Sequence, residues 1–506
     1  MTHSLYALFQ SRFPADRAKT LLETEDGHRL SYADAESEAA RLARLLTERG
    51  VCKGDRVAVQ VDKSPRALCL YLACLRAGFV FVPMNTAYTA DEVDFLVGNA
   101  EPAAVICRPA DETVVRAIAA RHGGPLVLTL DADGTGSLAD AAAGVAAEAP
   151  VVACEADDLA AMLYTSGTTG KPKGAMLTHR NLAANGQDLA ESWRFTADDM
   201  LLHALPIFHA HGLFVACHCV LLAGASMLWL PGFHRETVVR LLPRATTFMG
   251  VPTFYTRLLA GADFDRDACR SMRLFTAGSA PLLAETHTAF QERTGHAILE
   301  RYGMTETGML TGNPYDGERR PGAVGMPFPQ VSVRICDEDD QPLGPDEVGG
   351  VQVTGPNVMK GYWRLPEKTA EEFTTDGWFR TGDVGRIDAR GYLFIVGRAK
   401  DLVISGGYNV YPKEVESIID DLPAVLESAV VGVPHPDFGE AVVAVVVSAD
   451  AATAPAEDEV IAHCRAHLAN YKTPKRVFVV PELPRNTMGK VQKAQLREVH
   501  QDLFRV

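Results

Sequence analysis

The sequence predicts an α/β protein, with a large body built on mostly parallel sheet and a small α+β unit after it. Three observations carry that expectation. Short apolar strands alternate with amphipathic helical patterns from the amino terminus onward, which is the signature of βα units. A charged cluster, G-R-A-K-D at 397–401, interrupts the pattern and precedes a differently organised block. The chain has 506 residues, more than a single core usually supports, so at least two domains are expected.

The elements follow in order. Ser31 is placed to cap a helix whose Ala39, Leu42 and Leu46 share one face, and Gly50 stops it. Val57, Val59 and Val61 alternate as in a strand over 56–61. A helix is expected at 68–77, and further strands at 79–82, 103–107 and 126–130. The Ala/Gly/Asp-rich piece 131–157 reads as a surface connection. The last block predicts a helix from Pro412, strands at 428–433 and 441–447, a helix at 459–468 and a strand at 476–480. The division is placed at residue 398, giving domains 1–398 and 399–506.

Composition narrows the function. Hydrophobic residues are 47% and charged residues 22%, an ordinary globular mixture. A formal charge of −15, from 64 acidic and 49 basic side chains, repels nucleic acid, which is not an expected partner. Ten cysteines without a C-x-x-C pair fit reduced thiols in a cytoplasmic protein. The apolar start at 5–9 is broken by Gln10, Ser11 and Arg12, unlike a secretory signal. Residues 204–234 hold no Asp, Glu, Lys or Arg, yet His209, His211, Gly212, His218, Gly224 and Pro231 interrupt them. A membrane span needs about 20 predominantly apolar residues, so a buried helix followed by a buried strand is expected, and no membrane partner.

The most specific string is Y-T-S-G-T-T-G-K-P-K-G at 164–174, after an apolar run. Its glycines permit tight turning, its hydroxyls and amides line a concavity, and Lys171 and Lys173 add charge, together a cradle for polyphosphate. It is not a Walker loop, because Gly167 and Gly170 are too close and Pro172 follows the lysine.

This string resembles the phosphate-binding loop of the adenylate-forming superfamily, which includes acyl-CoA synthetases, peptide-synthetase adenylation domains and luciferases. Gly278, Ser279, Ala280 and Pro281 resemble the superfamily's adenine-contacting turn. Y-G-M-T-E-T at 302–307 resembles its second nucleotide motif, T-G-D at 381–383 its ribose site, and G-R-A-K-D its hinge. P-R-N-T-M-G-K ends at Lys490. The resemblance spans essentially the whole chain. It implies a large amino-terminal domain and a small mobile carboxy-terminal domain, with ATP (converted to AMP), Mg²⁺ and coenzyme A as cofactors.

By that resemblance Thr165, Ser166, Gly167, Thr168, Thr169, Gly170 and Lys173 hold phosphate. Gly278, Ser279, Ala280, Glu300, Arg301, Tyr302, Gly303, Met304 and Thr305 surround the nucleotide, with Tyr302 stacked on adenine. Glu306 is the Mg²⁺ ligand, since a carboxylate is the hard oxygen donor such an ion prefers. Asp383 and Arg398 bind the ribose. Lys490 reaches the substrate carboxylate and the α-phosphate, where its charge offsets the charge growing on phosphorus. Lys490, Glu306 and Lys173 are thus the catalytic candidates. Lys400 is the implied hinge, and Ser405, Gly406 and Gly407 line the CoA tunnel after rotation.

The segments 206–213, 251–258 and 300–305 resemble the family's acyl pocket, and their strings resemble bacterial malonyl-CoA synthetases, one type of which also takes methylmalonate. They contain His209, Arg257 and Arg301, which with Ser279 are the substrate candidates. A buried guanidinium facing an acyl pocket demands an anion, so a small dicarboxylic acid is expected. Arg257 is taken as the principal ligand of the distal carboxylate and Arg301 as the second. Alternatives are pairing of either arginine with a carboxylate such as Glu300, a synthetase for an uncharged or aromatic acid, an enzyme loading a carrier protein, and a non-catalytic adenylate binder. The H-A-H-G-L-F-V-A-C-H-C string reads as pocket lining rather than zinc ligands, because neighbours two apart on a helix diverge. Lys490 is also a candidate for a lysine acetyltransferase, since acetylation removes its charge.

Overall fold

The computed structural model describes residues 3–166, 172–405, 408–450, 454–486 and 489–505. Packing divides the chain into two compact units, Met1–Ser332 with Val353–Phe379, and Val333–Gln352 with Arg380–Val506.

The first unit holds two large sheets. In one, six parallel strands run in the order Leu299–Met304, Leu274–Ala277, Thr247–Gly250, Met200–His203, Ser226–Trp229 and Thr20–Thr24, with antiparallel strands on both edges. The other has Leu159–Ser166, Val80–Pro83, Arg56–Gln60, Ala104–Cys107 and Leu126–Thr129 in parallel, and Pro172–Thr178 antiparallel beyond them. Helices are specified locally. Ser31 and Asp34 form a reciprocal capping box for Tyr32–Glu48. Pro65–Ala77 starts with proline in its first turn and ends at Gly78, whose φ of 71° favours glycine. The charge-free stretch becomes a π-helix at His211–Cys217, an α-helix at His218–Ala223 and a buried strand at Ser226–Trp229. No helix among the described residues is long and apolar enough to cross a membrane.

The second unit carries a four-stranded sheet that ends in the hairpin of Phe379–Ile387 and Leu393–Arg398. It also carries a five-stranded sheet centred on Val425–His435 and Gly439–Ser448. The valine run 441–447 is explained by burial on both faces. Val442, Ala444 and Val446 pack under Val415, Ile419 and Val460, whereas Val443 and Val445 pack against Leu483 and Leu496. By packing, the division therefore falls earlier than residue 398, because the 379–398 hairpin completes a sheet with 332–336 and 349–354. No disulfide joins the ten cysteines among the described residues, and only Cys52 is exposed.

Candidate active site

In the first unit, Leu159–Ser166 and Pro172–Thr178 form an antiparallel hairpin that sets Thr165 opposite Lys173. The glycine/threonine string joins these strands. Its Gly167, Thr168, Thr169 and Gly170 lie outside the described residues, as does the side chain of Ser166. Thr165 Oγ1 donates to Glu306 Oε1 at 3.2 Å. Tyr362, in a short strand paired with Pro172–Thr178, donates its hydroxyl to the same oxygen at 3.0 Å. The ring of Tyr362 lies 4.3 Å from the Lys173 ammonium, and Glu372 stands 3.9 Å from that ammonium. Glu306 is 6% exposed, and among the described residues no hydrogen bond reaches its Oε2. One carboxylate oxygen is thus held and the other has no hydrogen bond among the described residues, a donor that would suit a hard cation.

At the carboxyl end of the parallel sheet, Leu274–Ala277 leads into Gly278 and Ser279. Ser279 has φ 72°, a strained conformation for a residue with a side chain. Its Oγ meets His211 Nδ1 at 3.2 Å. The neighbouring strand Leu299–Met304 brings Arg301 against Gly278, where an added Cβ would stand 2.5 Å from the guanidinium carbon. Arg301 is 3% exposed, and its Nε and Nη2 have no hydrogen-bond partner among the described residues. Burial pushes its pKa down to about 9, offset only in part by the nearby Tyr255. Pairing with Glu300 does not occur: successive strand residues face opposite ways, and Glu300 Oε1 accepts from the Gly322 amide at 3.3 Å. Tyr302, Gly303, Met304 and Thr305 continue the strand and its turn as a half-buried edge, and Ala280 is likewise half-buried.

His211 is buried, and its Nε2 lacks a partner among the described residues. Burial, then Arg301, His209 and His203, hold its pKa well below the usual imidazole range. The backbone amide of His211 donates to His209 Nδ1 at 3.3 Å. The π-helix bearing His211 is anchored by Gly212, whose carbonyl accepts from His203 Nε2 at 2.8 Å and Cys217 Sγ at 3.2 Å. His203 Nδ1 in turn accepts from Lys63 at 2.8 Å. His218, in contrast, meets the Tyr71 hydroxyl at 2.8 Å, so the histidines of this segment serve different surroundings.

Arg257 departs from its expected rank. It lies on the helix Pro252–Leu259, which buries Tyr255 and Leu258, whereas Arg257 is exposed and makes no ion pair among the described residues. Arg301, in contrast, is buried with two guanidinium nitrogens lacking a partner among the described residues. The helix period accounts for the reversal, since Tyr255 and Leu258 share the core face and Arg257 falls outside it.

In the second unit, Asp383 and Arg398 are cross-strand partners joined by a 2.6 Å ion pair, with Asp383 buried and Arg398 partly exposed. Lys400 is exposed in a one-turn helix, and the adjacent Asp401 accepts from Arg497 at 2.7 Å. Ser405 is buried at the end of Val403–Ser405, while Gly406 and Gly407 lie outside the described residues. Lys490 is exposed on a turn in which its amide donates to Asn486 Oδ1 at 2.9 Å.

Comparison with known proteins fits this geometry. The AMP-binding enzyme family matches residues 9–363, and the AMP-binding enzyme C-terminal domain matches 414–490. The chain belongs to the AMP-binding enzyme family. The crystal structure of ATP-bound MatB from Rhodopseudomonas palustris is 54% identical over 100% of both chains, with a TM-score of 0.98. A feruloyl-CoA synthase from Amycolatopsis sp is 38% identical, covering 93% of this chain and 94% of the relative. A malonate–CoA ligase from Arabidopsis thaliana is 33% identical, covering 98% and 89%. Tyr362 carried no motif in the sequence. Its only local signal is an aromatic residue after a glycine of positive φ, Gly361.

Proposed function

We propose that this AMP-binding enzyme is an acid–CoA ligase that converts malonate, CoA and ATP to malonyl-CoA, AMP and pyrophosphate. The observation that carries the choice of acid is Arg301, a buried guanidinium with two nitrogens lacking partners. Leaving such a charge uncompensated is costly, and a substrate's second carboxylate compensates it with charge-assisted hydrogen bonds. His211, with its own Nε2 unpartnered, lies near enough to Arg301 for its charge to be felt and offers a second polar contact. Arg257, exposed on its helix, is given no contact with the acid in this reading. The likeness to a plant malonate–CoA ligase and to MatB supports the reading, and methylmalonate is the next acid expected to be accepted.

In the first half-reaction, a substrate carboxylate oxygen attacks the α-phosphorus and pyrophosphate leaves. Lys173 and Thr165 hold phosphate oxygens, and Lys490 offsets charge on the reacting phosphoryl group. Mg²⁺ would be held by Glu306 Oε2 and would neutralise phosphate charge. Asp383 and Arg398 hold the ribose, and Tyr302 stacks on adenine. In the second half-reaction the CoA thiol attacks the acyl carbonyl and AMP leaves. Lys400 is assigned as the swivel between the two steps, and Ser405 as a residue of the pantetheine path. The functional boundary is accordingly 398/399, even though packing groups residues 380–398 with the smaller unit. A cytoplasmic location and acetylation of Lys490 by a lysine acetyltransferase belong to this reading as well.

The test offers acetate, malonate, methylmalonate, succinate and benzoate with ATP, Mg²⁺ and CoA, and scores each thioester by mass. Malonyl-CoA is expected to dominate. A preference for acetate or benzoate would replace the dicarboxylate reading with that of a neutral-acid ligase.

A further inference from the structure

Tyr362 touches both charged groups of the phosphate site and has no role in the reading above. It is 4% exposed and fixed by pairing with Ala175, two residues along the strand from Lys173, which pairs with Thr165. Its hydroxyl donates to Glu306 Oε1 at 3.0 Å, and its ring carries the Lys173 ammonium at 4.3 Å. Glu306 Oε1 also accepts from Thr165 Oγ1, whereas no hydrogen bond among the described residues reaches Oε2.

We propose that Tyr362 is a positioning residue that sets the cation-binding carboxylate and the phosphate-binding lysine through opposite parts of one side chain. The inference rests on Glu306 being the Mg²⁺ ligand. The hydroxyl fixes the rotation of the Glu306 carboxylate, so that Oε2 points outward as a ligand without first being reoriented. The ring face offers the ammonium a cation–π contact that holds Lys173 in place without adding negative charge to that of Glu372, 3.9 Å away. A second carboxylate in the same position would tighten the ion pairing of the lysine and compete with phosphate for it. A phenol does neither.

The two contacts separate by substitution. Tyr362→Phe keeps the ring on Lys173 and removes the hydroxyl from Glu306. Tyr362→Leu removes both, and Thr165→Val removes the other bond to Oε1. Mn²⁺ is titrated into the full-length protein holding ATP without acid, followed by electron paramagnetic resonance. The Mg²⁺ dependence of ATP–pyrophosphate exchange is measured in parallel. Tyr362→Phe is expected to weaken Mn²⁺ about tenfold and to raise the Mg²⁺ needed for half-maximal exchange, with the ATP KM at saturating Mg²⁺ nearly unchanged. Thr165→Val should weaken Mn²⁺ in the same direction, and Tyr362→Leu should raise the ATP KM, which Phe at this position restores. If Tyr362→Phe binds Mn²⁺ as the wild type does while Glu306→Gln loses it, the positioning role of Tyr362 is refuted alone. If Glu306→Gln also keeps full Mn²⁺ affinity, the cation-ligand reading of Glu306 is refuted and the inference with it.

Discussion

Arg301→Met is expected to make the ligand-free enzyme more stable and a poorer malonate ligase at once. The guanidinium is buried, and its pKa falls from 12.5 to about 9 on desolvation. At about 1.4 kcal/mol per pH unit, the charged form is disfavoured by roughly 5 kcal/mol in the folded state. Because the folded protein releases this proton more readily than the unfolded chain, the penalty is present at every pH below about 9. It is relieved as pH rises from there toward 12.5. Methionine fills similar volume without charge, so part of that penalty is recovered, about 2–4 kcal/mol after relaxation of the site. For a unit of this size that raises the unfolding midpoint by about 3–5 °C, read by differential scanning fluorimetry. The same change removes charge-assisted bonds worth about 1.5–3 kcal/mol each, so kcat/KM for malonate falls at least about 100-fold, while that for acetate changes little. The midpoint shift that malonate causes in the wild type is lost. A variant that melts lower and retains the malonate KM would refute the account of Arg301 as an uncompensated cation.

Other perturbations test neighbouring parts of the account. Gly212→Ala places a Cβ 2.0 Å from the Pro206 carbonyl oxygen, so the π-helix that carries His211 must shift. Acid-dependent pyrophosphate release should fall by at least about tenfold, since small misplacements are felt strongly in positioned sites. Lys490→Gln should abolish adenylation yet still form malonyl-CoA from supplied malonyl-adenylate, and equal loss of both steps would count against its assigned role. Asp420 is pushed up to about 6 by burial, which outweighs Lys413 and its Ser428 hydrogen bond. A raised acid destabilises the fold as pH rises from about 4 to about 6, so Asp420→Asn should stabilise the small unit above pH 6 and have little effect below pH 4, as seen in melts across pH.

Continuous strings were informative because adjacent residues share one turn. Thr165, Lys173 and Glu306, named from the glycine/threonine string and Y-G-M-T-E-T, come together in the first unit, linked by Thr165 and Tyr362. The strands expected at 56–61, 79–82, 103–107, 126–130, 428–433, 441–447 and 476–480 and the Ser31 cap were legible for the same reason: capping and alternation act over a few residues. What depends on distant packing was not. The sequence holds two arginines in pocket-like segments, and the folded environment separates them. Residue 301 is walled in by the adjacent parallel strand and Gly278, while residue 257 faces outward from its helix. Helical periodicity in P-T-F-Y-T-R-L-L, with Tyr255 and Leu258 buried together, was a usable signal for that difference. Tyr362 was invisible because its hydroxyl partner lies 56 positions away and reaches it only through sheet pairing. The division by packing was missed because the 379–398 hairpin pairs back to strands that precede it by many residues, a long-range register that no local pattern encodes.

A crystal structure of the enzyme with malonate and a non-hydrolysable ATP analogue tests the choice of acid most directly. The distal carboxylate should accept from Arg301 Nε or Nη2 at about 2.8 Å, with His211 beside it. A malonate whose free carboxylate points elsewhere, with those two nitrogens still lacking a partner, would contradict the account.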